Sequence, residues 1–596
     1  MVLAVLLLIG VALAWAYRDR LRSAKALYAE ARQAAPGRAA VLYDLLARRV
    51  PVLEDYWRLW AAEARLPAPD AVETLYAVAR YRPDGPSAFL AHLALARYYA
   101  VLESPQTVSE YRAALSIDDR PDIRLELARY LEEQNARASA YEHYKALLGR
   151  QRPDAFVEMR RTAPDELVVA GDLLARHYCS DVLDILREDI RCEGHRLRAE
   201  ALVCLGRAQE AEAERQLYGA CSAAPPPEPT PSPVSPQEEQ PPVPTDAGDA
   251  QPSTAEDEEG WGGETVAVSS ADPLELWKAT WALEEEGRIT EALAAYLAIA
   301  SGDSYVADDA AYRAWVLARR QGDANTAARA LAALQRMAPN WLAWRASGEM
   351  RIEFAPDYPS DAIAALTAEV LARVQALESL GREDLAIDEL RLTALVSETP
   401  EVILRMAEEL ARRGRFVAAY SLGRAYIADH PYAPRAMWRL AYPLAYAESV
   451  NGSAGAYGID PALVWAVMRQ ESAFAPNASS HAGARGLMQL MPATQRMLAQ
   501  QLNLAYDPAD AFTPERNIQM GIYYLGQLLQ EYSGDVELAL MAYNAGPGNV
   551  AQWLQDPMIR DRDDLLRFAW FGETREYVER VNLDRMIYLQ LWAPGG

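Results

Sequence analysis

Most of the chain alternates between apolar and polar positions with the period of an amphipathic α-helix. Ala, Leu and Arg are frequent in these stretches, and segments with the two-residue period of a β-strand are nearly absent. This pattern predicts an all-α protein built from short helices. The composition changes near residue 445, after which Gly, Asn and Met become more frequent. Residues 445–596 are therefore predicted to form a separate last domain.

A loose signature recurs before residue 445, in which Gly or Asn is followed by four residues and then by Ala. It occurs at Asn135 and Ala140, Gly206 and Ala211, Gly287 and Ala292, Gly322 and Ala327, Gly381 and Ala386, and Gly414 and Ala419. Gly or Asn can end a helix in the left-handed conformation, and a small Ala lets the next helix approach closely. The spacing resembles that of tetratricopeptide-type helical hairpins, although the match is degenerate. We therefore predict an irregular α-solenoid.

A polar segment at residues 222–272 divides this helical region. It contains 11 of the 37 Pro residues and 11 acidic residues, with no Lys or Arg. Such a composition cannot bury enough apolar surface to fold, and it predicts a disordered, extended linker. A binding role for this segment is the alternative. The two halves of the solenoid are then residues 18–221 and 273–444.

The first 17 residues form an uncharged apolar run. As a helix, the run would be about 25 Å long, which is at the short end for a membrane span. Its length also suits the apolar region of a secretory signal, and Ala14-Trp15-Ala16 resembles a cleavage site. The basic residues follow the run, which favours a retained anchor. The sequence thus predicts either a signal peptide or a single N-terminal membrane anchor.

The cysteines are clustered within 43 residues: Cys179, Cys192, Cys204 and Cys221. An even, clustered set favours two disulfides formed in an oxidising compartment, with three alternative pairings. Buried thiols between packed helices are the alternative interpretation.

The overall composition excludes some classes of protein. The 84 acidic and 59 basic residues give a net charge of −25, which argues against a nucleic-acid-binding protein with a broad basic surface. The apolar fraction of 51% is ample for buried cores. The six His residues are scattered without metal-ligand spacing, so that no metal site is expected.

The first candidate for chemistry lies at the end of a predicted helix. Asp460 and Pro461 are typical of a helix start, and Leu463, Val467 and Glu471 then share one face. A carboxylate at the end of an apolar stripe and near a helix C-terminus should have a raised pKa, as a general acid requires. Four apolar residues that follow are expected to exclude water: Phe474, Leu487, Met488 and Met491. The alternative is an exposed Glu at a frayed helix end.

Four motifs follow one another in the last domain. They are Glu471-Ser472, the Gly-punctuated block from Ser480 to Pro492, Ala542-Tyr-Asn-Ala-Gly-Pro547, and Glu573-Thr-Arg-Glu-Tyr-Val578. This set resembles the family 1 lytic transglycosylases, the soluble lytic murein transglycosylases, over about 150 residues. The resemblance implies a helical superhelix followed by a lysozyme-like catalytic domain. The long acidic linker departs from the family pattern and leaves open whether the solenoid closes into a ring.

The resemblance also implies roles for individual residues. It makes Glu471 the catalytic acid/base and assigns substrate binding to five residues: Ser480, Gln489, Met491 as a subsite wall, Tyr543, and Glu573 as a second carboxylate in the cleft. For Ser472, Asn544 and Arg575, hydrogen bonds that support turns and helix caps are at least as consistent with their positions.

The implied reaction cleaves the β-1,4 bond between N-acetylmuramic acid and N-acetylglucosamine and leaves a 1,6-anhydromuramic end. It needs no metal or cofactor. The implied enzyme is a periplasmic lytic murein transglycosylase that binds peptidoglycan glycan strands. Its solenoid would be available to cell-wall synthesis or division proteins, and no nucleic-acid partner is expected. The alternatives are a peptidoglycan or chitin hydrolase on the same scaffold and a noncatalytic cell-wall scaffold.

Overall fold

The computed structural model describes residues 23–147, 153–222 and 273–593, apart from short gaps at 164, 176–178, 188, 190, 205–207, 303, 305, 338–340, 349–351, 481, 557–558, 560–564 and 566–571. The predicted signal or anchor segment and nearly all of the predicted linker lie outside the described residues. The chain divides into two compact units, one comprising residues 1–181 and 339–596 and the other residues 182–338. The predicted domain boundaries, which follow composition, stay a prediction.

The first unit begins with a succession of helices, many of which start with Pro. Pro suits the first helical position because its missing N–H would have no partner there. The helices are α1 (Ala24–Gln33), α2 (Pro36–Arg49), α3 (Glu54–Glu63), α4 (Pro69–Tyr81), α5 (Pro86–Val101), α6 (Gln106–Ile117), α7 (Pro121–Glu133), α8 (Arg137–Lys145), α9 (Pro153–Thr162), α10 (Glu166–Leu174) and α11 (Cys179–Ile185), which extends past the boundary at 181.

The second unit contains two groups of described helices. They are α12 (Cys192–Cys204) and α13 (Ala208–Ser222), then α14 (Pro273–Glu285), α15 (Ile289–Ala300), α16 (Ala307–Gln321) and α17 (Ala324–Arg336). Cys192 and Cys221 form a disulfide that joins α12 to α13, which agrees with the predicted disulfide chemistry. A buried ion pair between Arg313 and Glu284 joins α16 to α14, with Nε donating to the carboxylate over 2.8 Å.

The first unit resumes after residue 339 and ends with the last domain. Its helices there are α18 (Trp341–Ser347), α19 (Ser360–Ser379), α20 (Glu383–Val396), α21 (Pro400–Arg412), α22 (Phe416–Asp429), α23 (Arg435–Ala441), α24 (Ala447–Tyr457), α25 (Pro461–Ser472), α26 (Pro492–Gln501), α27 (Pro514–Glu531), α28 (Val536–Ala545), α29 (Pro547–Trp553) and α30 (Gly572–Trp592). Throughout the described residues the backbone forms isolated β-bridges but no strand, as the sequence predicted.

The recurring Gly and Ala positions behave as the hairpin interpretation requires. The described members of the first set have φ between +59° and +77°: Asn135, Gly287, Gly322, Gly381 and Gly414. Their Ala partners, together with Ala211, are 0–6% exposed: Ala140, Ala292, Ala327, Ala386 and Ala419. Each hairpin thus ends one helix in the left-handed region and packs the next through a buried methyl group, which confirms the predicted irregular α-solenoid.

Helices far apart in sequence are joined by a buried charge network in the first unit. Arg373 of α19 is 3% exposed and donates to Asp55 over 2.8 and 3.0 Å and to Glu389 over 2.6 and 3.1 Å. The Tyr56 hydroxyl donates to Glu389 over 3.0 Å, and the Ser87 hydroxyl donates to Asp55 over 2.6 Å. These bonds satisfy both carboxylates without water, and they attach α3 to the pair α19–α20.

In the described part of the chain, no helix combines the length and the apolar character that a bilayer crossing requires.

The Arg373 network predicts a large and specific loss of stability. Arg373→Met should lower the free energy of unfolding by about 3–5 kcal/mol, because the buried Asp55 carboxylate loses its cation and Glu389 keeps only its ion pair with Arg82. Arg58→Met is the matched control, since Arg58 pairs with Glu54 on the surface of α3 over 2.6 Å and such pairs contribute less than about 1 kcal/mol. Urea unfolding followed by circular dichroism measures both. Equal losses in the two variants would contradict a structural role for the buried network.

Candidate active site

Glu471 lies in the last turn of α25, which is a firmly anchored helix. The Asp460 carboxylate accepts a hydrogen bond from the Ala462 amide over 3.0 Å and also binds Arg585 of α30 over 2.7 Å. Leu463 and Val467, which precede Glu471 on the same face, are 2% and 0% exposed. The apolar stripe read from the sequence is therefore buried, and its last position is a carboxylate.

The surroundings of Glu471 set its protonation state. The pKa of Glu471 is raised to about 7: desolvation raises it most, a hydrogen bond from Tyr577 lowers it, and the negative charge of Glu573 raises it. The Tyr577 hydroxyl donates to Oε1 of Glu471 over 2.7 Å. Near neutral pH the carboxyl group is thus present in both forms, so that it can donate a proton and accept one.

The sequence predicts no site role for Tyr577, although this residue lies within the motif from Glu573 to Val578. It lies on α30 four residues after Glu573, and positions four apart share one helix face. Burial and the nearby Glu471 hold the pKa of Tyr577 well above its usual value, so its hydroxyl keeps its proton and remains a donor. The i, i+4 spacing with Glu573 was the available signal for this residue.

A second buried contact joins α25 to α30 just below the site. Arg469 donates through one nitrogen to both oxygens of Asp584, over 2.8 and 2.9 Å, and Gln470 adds a hydrogen bond over 2.5 Å. The Arg469 guanidinium also lies 4.2 Å from the centre of the Tyr442 ring and 5.4 Å from that of Tyr420. These contacts fix the two residues that precede Glu471 and thereby its direction.

The loop after α25 packs tightly around a glycine. At Gly486 a Cβ atom would overlap the Ala511 carbonyl oxygen and the Asn517 side chain, and φ is +77°. The Asn517 side chain accepts from the Met488 amide over 2.7 Å and donates to the Ala511 carbonyl over 2.9 Å. The Ser472 hydroxyl donates to the Leu487 carbonyl over 2.8 Å. Ser472 thus ties the end of α25 to this loop.

Tyr543 approaches the site from α28. Its hydroxyl donates to the Met488 carbonyl over 2.8 Å, and its ring centre lies 5.4 Å from that of Tyr524. Burial, followed by the charge of Glu471, holds the pKa of Tyr543 well above its usual value. The structure therefore brings Tyr543 into the electrostatic neighbourhood of Glu471, together with Tyr577 and Glu573.

The polar side chains of the Gly-punctuated block from Ser480 to Pro492 form hydrogen bonds mainly within the loop itself. The Ser480 hydroxyl accepts from the Ala484 amide over 3.0 Å, and the Gln489 side-chain amide donates to the carbonyls of Ala478 and Gly486 over 3.2 and 2.8 Å. Met491, in contrast, is 42% exposed. Met491 is available for an apolar contact with a ligand, whereas the Gln489 amide first holds the loop.

The remaining candidates lie on α28 and α30. Glu573 is exposed. The Asn544 side-chain oxygen accepts from the Thr574 hydroxyl over 2.6 Å, which joins the two helices, and Arg575 pairs with Glu579 one turn further along α30 over 3.1 Å. These contacts of Asn544 and Arg575 agree with the supporting positions expected for them.

Removing the Tyr577 hydroxyl should raise the pKa of Glu471. Tyr577→Phe deletes a hydrogen bond that favours the carboxylate, so the acid form becomes more stable. Carbon-13 NMR titration of the Glu471 carboxyl measures the change. Tyr506→Phe, in the same domain, is the control and should leave the titration unaltered. A pKa that falls or stays constant in Tyr577→Phe would contradict the assigned hydrogen bond.

Glu471 should also make the stability of the protein depend on pH. A folded-state pKa of about 7, above the ordinary value of 4.5, stabilises the fold below pH 4.5, and this contribution is lost as the pH rises through 7. Glu471→Gln should therefore gain stability relative to the wild type between pH 5 and pH 8, by up to about 3 kcal/mol. Urea unfolding at pH 5 and at pH 8 measures the difference in the free energy of unfolding between the variant and the wild type. If this difference is the same at the two pH values, the pKa of Glu471 is not raised in the folded protein.

Comparison with known proteins identifies the last domain. Residues 448–566 match the model of the transglycosylase SLT domain. The chain is 38% identical over 144 residues to a protein of Haemophilus influenzae described as a putative soluble lytic murein transglycosylase. The match covers 24% of this chain and 24% of that protein, so it spans about a quarter of the relative's length. Family model and relative both confirm the resemblance seen in the sequence.

Two solved structures resemble the whole chain. The 70 kDa soluble lytic transglycosylase of Escherichia coli superposes with a TM-score of 0.52 at 19% identity, covering 96% of this chain and 97% of that one. An inactive mutant of the lytic transglycosylase Slt of Pseudomonas aeruginosa gives a TM-score of 0.54 at 18% identity, with 95% and 97% covered. These matches confirm the predicted fold class. The chain therefore carries a transglycosylase SLT domain of the family 1 type, on a fold that combines an α-helical superhelix with a lysozyme-like domain.

Proposed function

We propose that the SLT domain is a peptidoglycan lytic transglycosylase in which Glu471 is the single general acid and base. The observation that carries the proposal is the state of Glu471, which is half-buried, accepts a hydrogen bond from Tyr577 and has a pKa raised to about 7. A carboxyl group with this pKa can donate a proton in one step of the catalytic cycle and accept a proton in a later step.

The proposed reaction uses the Glu471 carboxyl group twice, first as an acid and then as a base. The neutral acid first donates it to the glycosidic oxygen between N-acetylmuramic acid and N-acetylglucosamine, and the bond from that oxygen to the anomeric carbon breaks. The carboxylate then takes the proton of the muramic C6 hydroxyl as this oxygen bonds to the anomeric carbon. The product is a 1,6-anhydromuramic end, and Glu471 returns to its acid form without any consumption of water.

The unequal environments of the two carboxylates support a single acid/base. Glu471 is enclosed and has a raised pKa, whereas Glu573 is exposed and acts on Glu471 through its charge. Most glycosidases need two carboxylates with distinct roles. In the proposed enzyme the substrate's own acetamido group and C6 hydroxyl replace the second one. Met491 and Tyr543 are proposed to line the sugar subsites, with Ser480 and Gln489 shaping the loop and binding substrate.

The proposed location is the periplasm, with export directed by the N-terminal segment. The Cys192–Cys221 disulfide supports this location, because such bonds persist in oxidising compartments. The proposed partners are peptidoglycan glycan strands for the catalytic domain and cell-wall synthesis or division proteins for the solenoid, whose helical hairpins form the kind of extended surface that binds long ligands.

Glu471→Gln should lower the rate of murein cleavage by at least about 10²-fold, which is the usual scale for removing a general acid. The measurement is digestion of purified sacculi, with mass spectrometry of the released fragments. The wild-type fragments should carry anhydromuramic ends. An unimpaired Glu471→Gln variant would exclude Glu471 as the acid.

Glu573→Gln separates the proposed lyase from a hydrolase. It should retain most of the activity, because no water needs to be positioned by a second carboxylate. Reducing ends in the fragments, together with inactivity of Glu573→Gln, would favour a two-carboxylate hydrolase on the same scaffold.

A further inference from the structure

A cavity of about 750 Å³ lies in the first unit, far along the chain from the SLT motifs. Residues of α1, α2 and α3 line one side of this open cavity, and the turn at residues 381–384 lines the other. Its volume falls within the range of small-molecule sites, which is roughly 300–1,000 Å³. None of its lining residues belongs to the set around Glu471.

Three aromatic rings form a rigid part of its wall. Tyr28, Tyr43 and Trp60 are 3%, 5% and 8% exposed. The Trp60 ring centre lies 5.0 Å from that of Tyr28 and 6.1 Å from that of Tyr43. Because the rings pack against one another, the cavity is held open without a ligand.

Polar groups without a partner line the same cavity. With respect to the described residues, the Tyr43 hydroxyl and the Glu63 carboxylate make no hydrogen bond, and the Arg32 guanidinium makes no ion pair beyond its approach to the Tyr28 ring at 6.0 Å. Arg382, by contrast, is engaged, because it binds Asp384 over 2.6 and 2.8 Å and the Tyr28 hydroxyl over 2.8 Å. Tyr43, Glu63 and Arg32 can therefore each bond to a ligand that enters the cavity.

Arg32 and Glu63 have opposite charges, and yet they do not pair with each other. Both act electrostatically on Tyr43, which places them around the same point of the wall. A ligand that carries an ammonium and a carboxylate at separate positions would satisfy both residues together. Arg32 and Glu63 are exposed to solvent, and a neutral ligand could form an ion pair with neither of them.

We propose that this cavity binds a small zwitterion, namely an amino acid or a short peptide with a free amino group and a free carboxylate. The ligand's carboxylate binds Arg32, its ammonium binds Glu63, and the Tyr43 hydroxyl bonds to its polar backbone. The aromatic wall accommodates its apolar part. The site does not depend on the function proposed for Glu471.

The pKa of Glu63 provides a second, pH-dependent test of the proposed site. The Glu63 side chain is exposed at the cavity wall, and partial desolvation by the surrounding groups raises its pKa to about 7, although Arg97 and Arg382 lower it. Tyr43 also faces it, with its own pKa raised to about 12, chiefly by burial. At pH 6 Glu63 is mostly neutral, so binding of an ammonium group should release a proton.

Isothermal titration calorimetry of the full chain with D-alanyl-D-alanine tests the site. We expect binding that is weakened at least tenfold in Glu63→Gln and in Arg32→Gln. N-acetylation or C-amidation of the peptide should weaken it similarly, since each removes one charge. At pH 6 the measured enthalpy should vary with the ionisation enthalpy of the buffer, and Glu63→Gln should abolish this dependence.

Two surface variants serve as matched controls. Glu54→Gln lies on α3, as Glu63 does, and Arg48→Gln lies on α2; both should bind as the wild type does, because neither residue lines the cavity. Thermal unfolding at pH 8 checks that Glu63→Gln still folds, which is expected because Glu63 is an exposed residue. Absence of binding at millimolar peptide, or equal binding of the capped peptides, would overturn the proposal. Binding of N,N′-diacetylchitobiose that Glu63→Gln weakens would overturn it in favour of a saccharide site.

Discussion

The geometry of the candidate active site depends on the buried contact between Arg469 and Asp584. These residues lie on α25 and α30, the two helices that carry Glu471 and Tyr577. The ion pair is surrounded by Tyr442 and Gln470, so both charges are compensated inside the protein. Such a pair contributes little net stability compared with apolar packing, but it admits few alternative arrangements. Its effect is to hold one carboxyl group and one phenol within hydrogen-bond distance.

The hydrogen bond from Tyr577 limits how far the pKa of Glu471 is raised. Desolvation favours the protonated acid, and the hydrogen bond favours the carboxylate. The result is a group that titrates close to neutral pH instead of one that is permanently protonated. Arg373 shows the opposite use of buried charge, because it pairs with Asp55 and with Glu389, which Arg82 also binds, and serves to join distant helices. One fold therefore contains buried charges for chemistry and buried charges for assembly.

The helical hairpins and the position of Glu471 could be predicted because their signals are local. A left-handed turn at Gly322 or Gly414 is dictated by backbone sterics within one residue, and the burial of Leu463 and Val467 follows from their helical spacing. The contact of Tyr577 with Glu471 could not be predicted in this way, since it joins positions 106 residues apart. Gln489 shows the same limit, because its motif marked it as a ligand contact while its side-chain amide bonds to the loop backbone.

Sequence alone determined the all-α class, the irregular solenoid and the motifs of the SLT domain, and it predicts Glu471 as the acid. These features arise from short-range periodicity and from motifs that each span fewer than about 15 residues. The tertiary structure decided which polar groups meet: Tyr577 with Glu471, Asp584 with Arg469, and, around one cavity, Arg32 and Glu63, which have no ion-pair partner among the described residues. Pairings of this kind depend on how helices dock, and docking is governed by the shapes of buried surfaces from separate parts of the chain, 106 and 115 residues apart for the first two pairs.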